Sequence, residues 1–277
     1  MGASMRLHLA AITVGELTAP QLWTLLRLAD SEHRLTVVNA RRGSAVSGRK
    51  RLARRLRDVG PLQLASRLLG RVLIGDRHER RARDLYERLF DGASLRERWA
   101  ALDAPVRRVA TLNGKQARRA LTESAPDVAV RVSGGILQER IFSIPRLATL
   151  NLHHGLAPAI RGMWSIPWGV VEQRADWIGA TVHAVDAGID TGKAYRRVAP
   201  QLAPGDTIDT LFFRTHLLVV EALAQVIDDF ASGRDPEVLD QAGPSTYRSA
   251  PGVRPWLTLL RSGAGRRASI TLDEALR

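Results

Sequence analysis

The sequence predicts an α/β fold: a Rossmann-like, mostly parallel sheet with a basic helical insertion and a short C-terminal extension. Three observations predict it. The chain opens with a β-α-β pattern, an arginine-rich stretch with leucines at helical spacing interrupts the alternation, and the alternation then resumes through residue 230. One domain is expected over residues 1–232, including the insertion at 44–100, with the extension at 233–277.

Residues 6–14 are the first apolar run and read as a strand. Residues 19–29 place Leu22, Leu25, Leu26 and Leu28 near helical spacing, with Pro20 suited to a first helical turn. Residues 35–39 read as a second strand. Only Gly15 follows the first strand, so no glycine-rich dinucleotide loop is expected there. In the insertion, Leu52, Leu56, Leu64, Leu68, Leu69, Val72 and Leu73 recur among arginines, and Leu85, Leu89 and Phe90 continue the pattern. This predicts two or three amphipathic helices, broken near Gly60-Pro61 and Gly75. Residues 106–112 read as a strand, and Asn113 with Gln116 reads as a capping box opening a helix to Ser124. Residues 128–132 and 147–152 read as buried strands. Residues 164–173 read as a helix with Pro167 in its first turn, 178–185 and 194–198 as paired strands, and 206–230 as a long helix. From Arg234 onward the chain reads as irregular, with an apolar cluster at Trp256, Leu257, Leu259 and Leu260.

The 277 residues include no cysteine, which excludes disulfides, thiolate metal sites and cysteine nucleophiles and fits a reducing, cytoplasmic setting. No apolar run of membrane-spanning length is present, so no membrane span is expected, and the first residues carry no cleavage-site pattern. The formal net charge is +13, and residues 41–100 hold 17 Lys+Arg against 7 Asp+Glu. The run 41–57, with Arg41 first and Arg57 last, has eight basic residues and no acidic one. Such a run is either a solvated helical face or an attractor of phosphates or an anionic surface. The aromatic interleaving expected of a single-strand binder is absent from it.

Chemistry concentrates in residues 148–195. If the strand end is extended, Asn151 and His153 point to one face and His154 to the other. An amide and an imidazole would then project beyond a strand's carboxyl end, the usual ligand location in open parallel sheets. Gly155, Pro158 and Gly162 suit a tight loop after it. Gly188 and Gly192 bracket Asp190 in a connection between two strands, so the loop can fold a carboxylate inward. An oxyanion donor, a proton carrier and a tuning carboxylate form a set for acyl transfer. Taken alone, a single N-x-H is more often structural and a D-x-G loop more often a turn.

The stretch Asn151-Leu152-His153-His154-Gly155-Leu156-Ala157-Pro158, with Arg161-Gly162, then Gly179-Ala180-Thr181-Val182-His183, then Asp190-Thr191-Gly192, resembles the catalytic domain of the 10-formyltetrahydrofolate formyltransferases. That family's pattern is N-[IL]-H-x-[SG]-x-x-P-x-x-[RK]-G, then G-x-T-x-H, then D-x-G. Order and spacing agree, and the resemblance covers residues 106–230.

The resemblance implies roles. Asn151 would stabilise the formyl oxyanion, His153 would assist proton transfer, and Asp190 would tune that step. The pterin of 10-formyltetrahydrofolate would lie against the loops at Gly135, Ile136 and Leu137 and at Val185, Asp186, Gly188 and Asp190. His154, Arg161, Gly162 and Trp164 would face the acceptor. No metal is implied. Departures at His154, Gly155, Ala157 and Ile160, where proline, serine, leucine and an aromatic are frequent, fall on positions that face substrate or shape the loop.

His183 reads as a strand histidine satisfied by neighbours, and His216 as core. Trp164 and Trp168 read as a core pair, with Trp164 otherwise walling the acceptor pocket. The stretch after Asp240 is shorter than the RNA-binding barrel of methionyl-tRNA enzymes, and residues 13–18 lack a Gly/Ser-rich phosphate loop. The expected partners are therefore a reduced folate and a small-molecule primary amine, an amino-sugar nucleotide or a specialised-metabolite amine. No nucleic acid and no membrane are expected, and the 256–260 cluster packs either on its own core or on another subunit of a homodimer. The alternative is a catalytically silent basic module that recognises nucleic acid or an anionic surface through residues 41–57.

Overall fold

The computed structural model describes residues 5–42 and 61–262. The basic run beyond Arg42, with Leu52 and Leu56, and the expected break at Gly60 lie outside the described residues.

Seven strands form one sheet in the order β3-β2-β1-β4-β5-β7-β8. These are β1 (His8–Val14), β2 (Arg34–Ala40), β3 (Val106–Val109), β4 (Val128–Arg131), β5 (Ala148–His153), β7 (Ala180–Ala184) and β8 (Ala194–Val198). The pairs from β3 through β5 are parallel, and β7 and β8 join antiparallel. The strand order turns between β1 and β4, which opens a crevice at the carboxyl ends of the parallel strands.

Period-two alternation assigns the faces. On β1, Leu9 and Ala11 belong to one core and Ala10 and Ile12 to another. The first core includes Leu150, Val182, Leu223 and Val226, beneath α1 (Ala19–Ala29) and α8 (Ile208–Ala231). The second lies beneath α5 (Lys115–Ser124) and α6 (Glu139–Phe142), with Ala117, Leu121 and Ile141. By length and composition α8 could cross a membrane, but 67% of its most apolar window is buried within the protein.

The insertion is helical where it is described. It comprises α2 (Pro61–Gly70), α3 (Asp76–Leu89) and α4 (Gly92–Ala101). No break occurs at Gly75; one wide π-type turn, Arg71–Gly75, carries α2 directly into α3. Leu85, Leu89 and Phe90 pack against Leu22, Leu26 and Phe213, which fixes α3 to the core.

Two expectations need correction. Asn113 does not cap α5, whose N-cap is Gly114 with no side-chain cap. Its amide instead bridges a loop: Nδ2 donates to Ile136 O at 2.9 Å, and Oδ1 accepts from Gln138 N–H at 2.7 Å. Gln116 accepts from Ala110 N–H. The C-terminal segment is also not irregular. β9 (Thr246–Arg248) pairs in parallel with β6 (Ile160–Gly162), and α9 (Val253–Arg261) buries Trp256 and Leu259. Three-residue strands and a nine-residue helix give too little periodicity to read in sequence.

Candidate active site

A cavity of about 770 Å³ opens at the carboxyl ends of β4 and β5. Asn151 and His153 enter it from the last residues of β5, both buried. Asp190 enters from the β7–β8 loop with φ of 51°, a left-handed backbone that turns its carboxylate inward.

Asp190 is the hub. Its Oδ2 accepts from Gly162 N–H at 2.9 Å and lies 3.4 Å from His153 Nδ1, while Oδ1 lies 3.4 Å from Asn151 Nδ2 and 3.5 Å from His183 Nε2. Burial alone would raise its pKa, but His183, His153 and the Gly162 N–H outweigh burial and hold it at about 2. Gly162 has φ of 102°, and a Cβ there would sit 2.1 Å from Arg248 O, so the chain can deliver this N–H only with glycine.

Both ring nitrogens of His153 face acceptors. Nδ1 faces Asp190, and Nε2 lies 3.1 Å from Ile160 O. A protonated ring therefore has a partner at each N–H. Burial pushes its pKa down and Asp190 pushes it up, with burial prevailing. The ring is thus neutral at rest yet prepared to hold a proton.

The sheet register adds His183. Asn151 pairs with His183 across the antiparallel β5–β7 ladder, so both side chains share a face. His183 Nδ1 lies 2.7 Å from Ala184 O, and Nε2 lies 3.0 Å from Asn151 Nδ2. It is satisfied by neighbours, as expected, but one of those neighbours belongs to the candidate set.

His154 points to the opposite face. Strand alternation puts it with Leu150 and Leu152, toward α8. There it stacks on Phe212 at 4.6 Å and on His216 at 5.3 Å, with its Nε2 3.1 Å from His216 Nδ1. His216 Nε2 lies 2.9 Å from Pro20 O, an acceptor, so Nε2 carries the hydrogen and Nδ1 accepts from His154. Burial lowers His216 to about 4, and burial and His216 push His154 well below its ordinary value. His216 is therefore core, but core that also lines the cavity.

The remaining expected residues divide. Gly135, Ile136, Leu137, Val185, Asp186, Gly188, Gly162 and Trp164 line the cavity. Asp186 is occupied in shaping its own loop through Gly188 N–H and Thr191 Oγ1. Trp164 and Trp168 do not pair: Trp164 meets Trp256 edge-on at 5.3 Å, and Trp168 donates to Ser249 O. Arg161 stands outside the lining, donating to Ser245 Oγ and Ile189 O.

Residues 95–227, the stretch that holds Asn151, His153 and Asp190, match the family model described as formyl transferase. Over that stretch this chain is similar to the formyltransferase family. The methionyl-tRNA formyltransferase of Pseudomonas putida (strain GB-1) is 35% identical over 144 residues, 51% of this chain and 46% of that protein. The chain therefore spans about half the length of the curated relatives it matches. The fold is similar to a sugar N-formyltransferase from a Shewanella species, with a TM-score of 0.56 at 12% identity, covering 92% of this chain and 87% of that one. It is also similar to WlaRD, a sugar 3N-formyl transferase solved in the presence of dTDP and 5-N-formyl-THF. Here the TM-score is 0.51 at 14% identity, over 90% of this chain and 70% of that one.

Two residues of this cavity escaped the sequence. Arg131, at the end of β4, donates from Nη1 to Asn151 Oδ1 at 2.6 Å. Tyr86 and its neighbours on α3 line the cavity opposite β5. Strand pairing between Arg131 and Asn151 was the only available signal for the first, and it needs the β4–β5 register. No sequence signal pointed to the second.

Proposed function

We propose that this protein is an N-formyltransferase that moves the formyl group of 10-formyltetrahydrofolate to a primary amine of a small molecule, an amino-sugar nucleotide or a specialised-metabolite amine. The observation that carries this reading is the convergence of Asn151, His153 and Asp190 on one cavity. The folate side fits the loops at 135–137 and 185–190. Ile136 is 66% exposed, and Gly135 has open space where a Cβ would stand, which leaves room beside this loop for a flat ring.

The folate supplies the formyl carbon; the chain does the rest. Asn151 directs amide N–H toward the cavity and stabilises the oxygen as negative charge develops. His153 takes the proton the amine loses as its nitrogen bonds the formyl carbon, Asp190 and Ile160 O hold the imidazolium, and the proton passes to N10 as the C–N10 bond breaks and tetrahydrofolate leaves. Asp190, charged at all working pH values, orients that ring and stabilises its charge.

The relatives' name favours a second acceptor, methionyl-tRNA, and the assay should include it. Purified protein is incubated with 10-formyltetrahydrofolate and panels of amino-sugar nucleotides, small amines and methionyl-tRNA, and products are read by mass. Formylation of a small amine, with binding of 5-formyltetrahydrofolate, supports the proposal. Formylation of methionyl-tRNA alone moves the acceptor to the second reading. Absence of folate binding at millimolar concentration sinks both.

A further inference from the structure

We infer that Arg131 is a positioning residue that locks the Asn151 amide in one orientation and ties it to the loop at 134–138. This rests on the formyltransferase reading above.

An asparagine amide has an acceptor end and a donor end, and its network decides which faces where. A guanidinium only donates. Arg131 Nη1 stands 2.6 Å from one end of Asn151, so that end must be Oδ1. Turning the amide over would set N–H against N–H beside a half-buried positive charge, and carbonyl oxygen against the Asp190 carboxylate. The lock therefore forces Nδ2 toward Asp190, His183 and the cavity. It also selects the His183 tautomer: with Nδ1–H donating to Ala184 O, Nε2 is bare and accepts from Asn151 at 3.0 Å. The longer contact from Nε2 to Asp190, 3.5 Å, carries no hydrogen in this tautomer.

The same guanidinium reaches the loop after β4. Nε donates to Gly135 O at 3.0 Å and Nη2 to Gly134 O at 2.5 Å. Asn113 holds the far side of that loop at Ile136 O and Gln138 N. One planar, multi-donor group thus connects the amide that meets the formyl oxygen with the backbone that would meet the pterin. Lysine, with a single ammonium, cannot span these three acceptors. The charge is retained in a half-buried place: burial lowers the arginine pKa, and Asp190 opposes this.

The test uses Arg131→Met, Arg131→Lys, Asn151→Ala and the Arg131→Met/Asn151→Ala double variant, each confirmed folded by circular dichroism. In wild type the Asn151 side-chain amide, assigned by its loss in Asn151→Ala, gives a dispersed ¹⁵N–¹H pair that exchanges slowly with water. In Arg131→Met that pair should collapse toward ordinary shifts and exchange quickly. Turnover should fall by about 10²-fold, the scale of removing one oxyanion donor. Amine KM should stay within about two-fold of wild type. Arg131→Lys should lie between the two. The double variant should be no slower than Asn151→Ala, because Arg131 acts through that amide. The inference is overturned if Arg131→Met keeps the resonance pair and turnover, or if the two substitutions multiply. Should wild type neither bind 5-formyltetrahydrofolate nor transfer formyl, the functional reading fails by itself, and the amide resonances still decide the lock.

Discussion

His153 and His154 are adjacent, and β5 sends them into two different chemistries. On one side, His153 meets a carboxylate and a carbonyl, within a network of Arg131, Asn151, His183 and Asp190. On the other, His154 meets a second imidazole and an aromatic ring, in a wall with Phe212, His216 and Tyr86. Burial lowers both imidazoles, but only His153 has a negative charge opposing the shift. The residue type is the same; what differs is whether protonation is answered. A ring facing two acceptors can take a proton and hold it, whereas a ring stacked on another imidazole stays neutral and serves as a surface.

Breaking the polar side should have the largest effect. His153→Asn is expected to cut turnover by about 10²- to 10⁴-fold with the fold intact, since that is the scale of positioned proton transfer. Asp190→Asn should follow it closely, because a neutral amide does not support an imidazolium. Steady-state formyl transfer with circular dichroism checks both; wild-type rates in either variant would contradict the assignment.

The aromatic side should show itself in acid stability. His216 is neutral when folded, with a pKa of about 4 against 6.5 when unfolded. A depressed histidine means the unfolded chain binds the proton first. Stability is therefore complete above pH 6.5 and drains as pH falls toward 4, by about 3 kcal/mol from this one group. His154 adds in the same direction. Urea titrations at pH 7 and pH 4.5 should show a steep loss in wild type and a shallower one in His216→Gln. Equal slopes would mean His216 is not the buried neutral ring described.

The smallest effect is expected from His154→Ala. Turnover should remain within about ten-fold of wild type, with the change appearing mainly in amine KM as uniform binding is lost. A dead His154→Ala beside an active His153→Asn would reverse the comparison.

Much of this was legible because it rests on short-range rules. Alternation along β1 and β5 gave the two faces, and with them the opposite directions of His153 and His154. What was hidden depends on partners distant in sequence. Arg131 looks like any strand-end arginine until β4 pairs with β5 in a register that sets it against Asn151. Asn113 has the spacing of a cap, yet its amide found backbone at 136 and 138, because that loop returns beside it. β9 is three residues long and exists only because β6 offers it an edge.

The roof of the cavity has a consequence of its own. His78, Glu79, Arg83, Tyr86 and Glu87 line it from α3, and Trp256 of α9 braces it against His78 and Trp164. Apart from Trp164, these residues fall outside 95–227, whereas Arg131, Asn151, His153, His183 and Asp190 all fall inside. The polar set and the α3 roof are thus written in separate passages of the chain. If the proposed function holds, variation in α3 would change what enters the cavity while Asn151, His153 and Asp190 stay where the sheet put them, and α3 is the place to begin redesigning the acceptor.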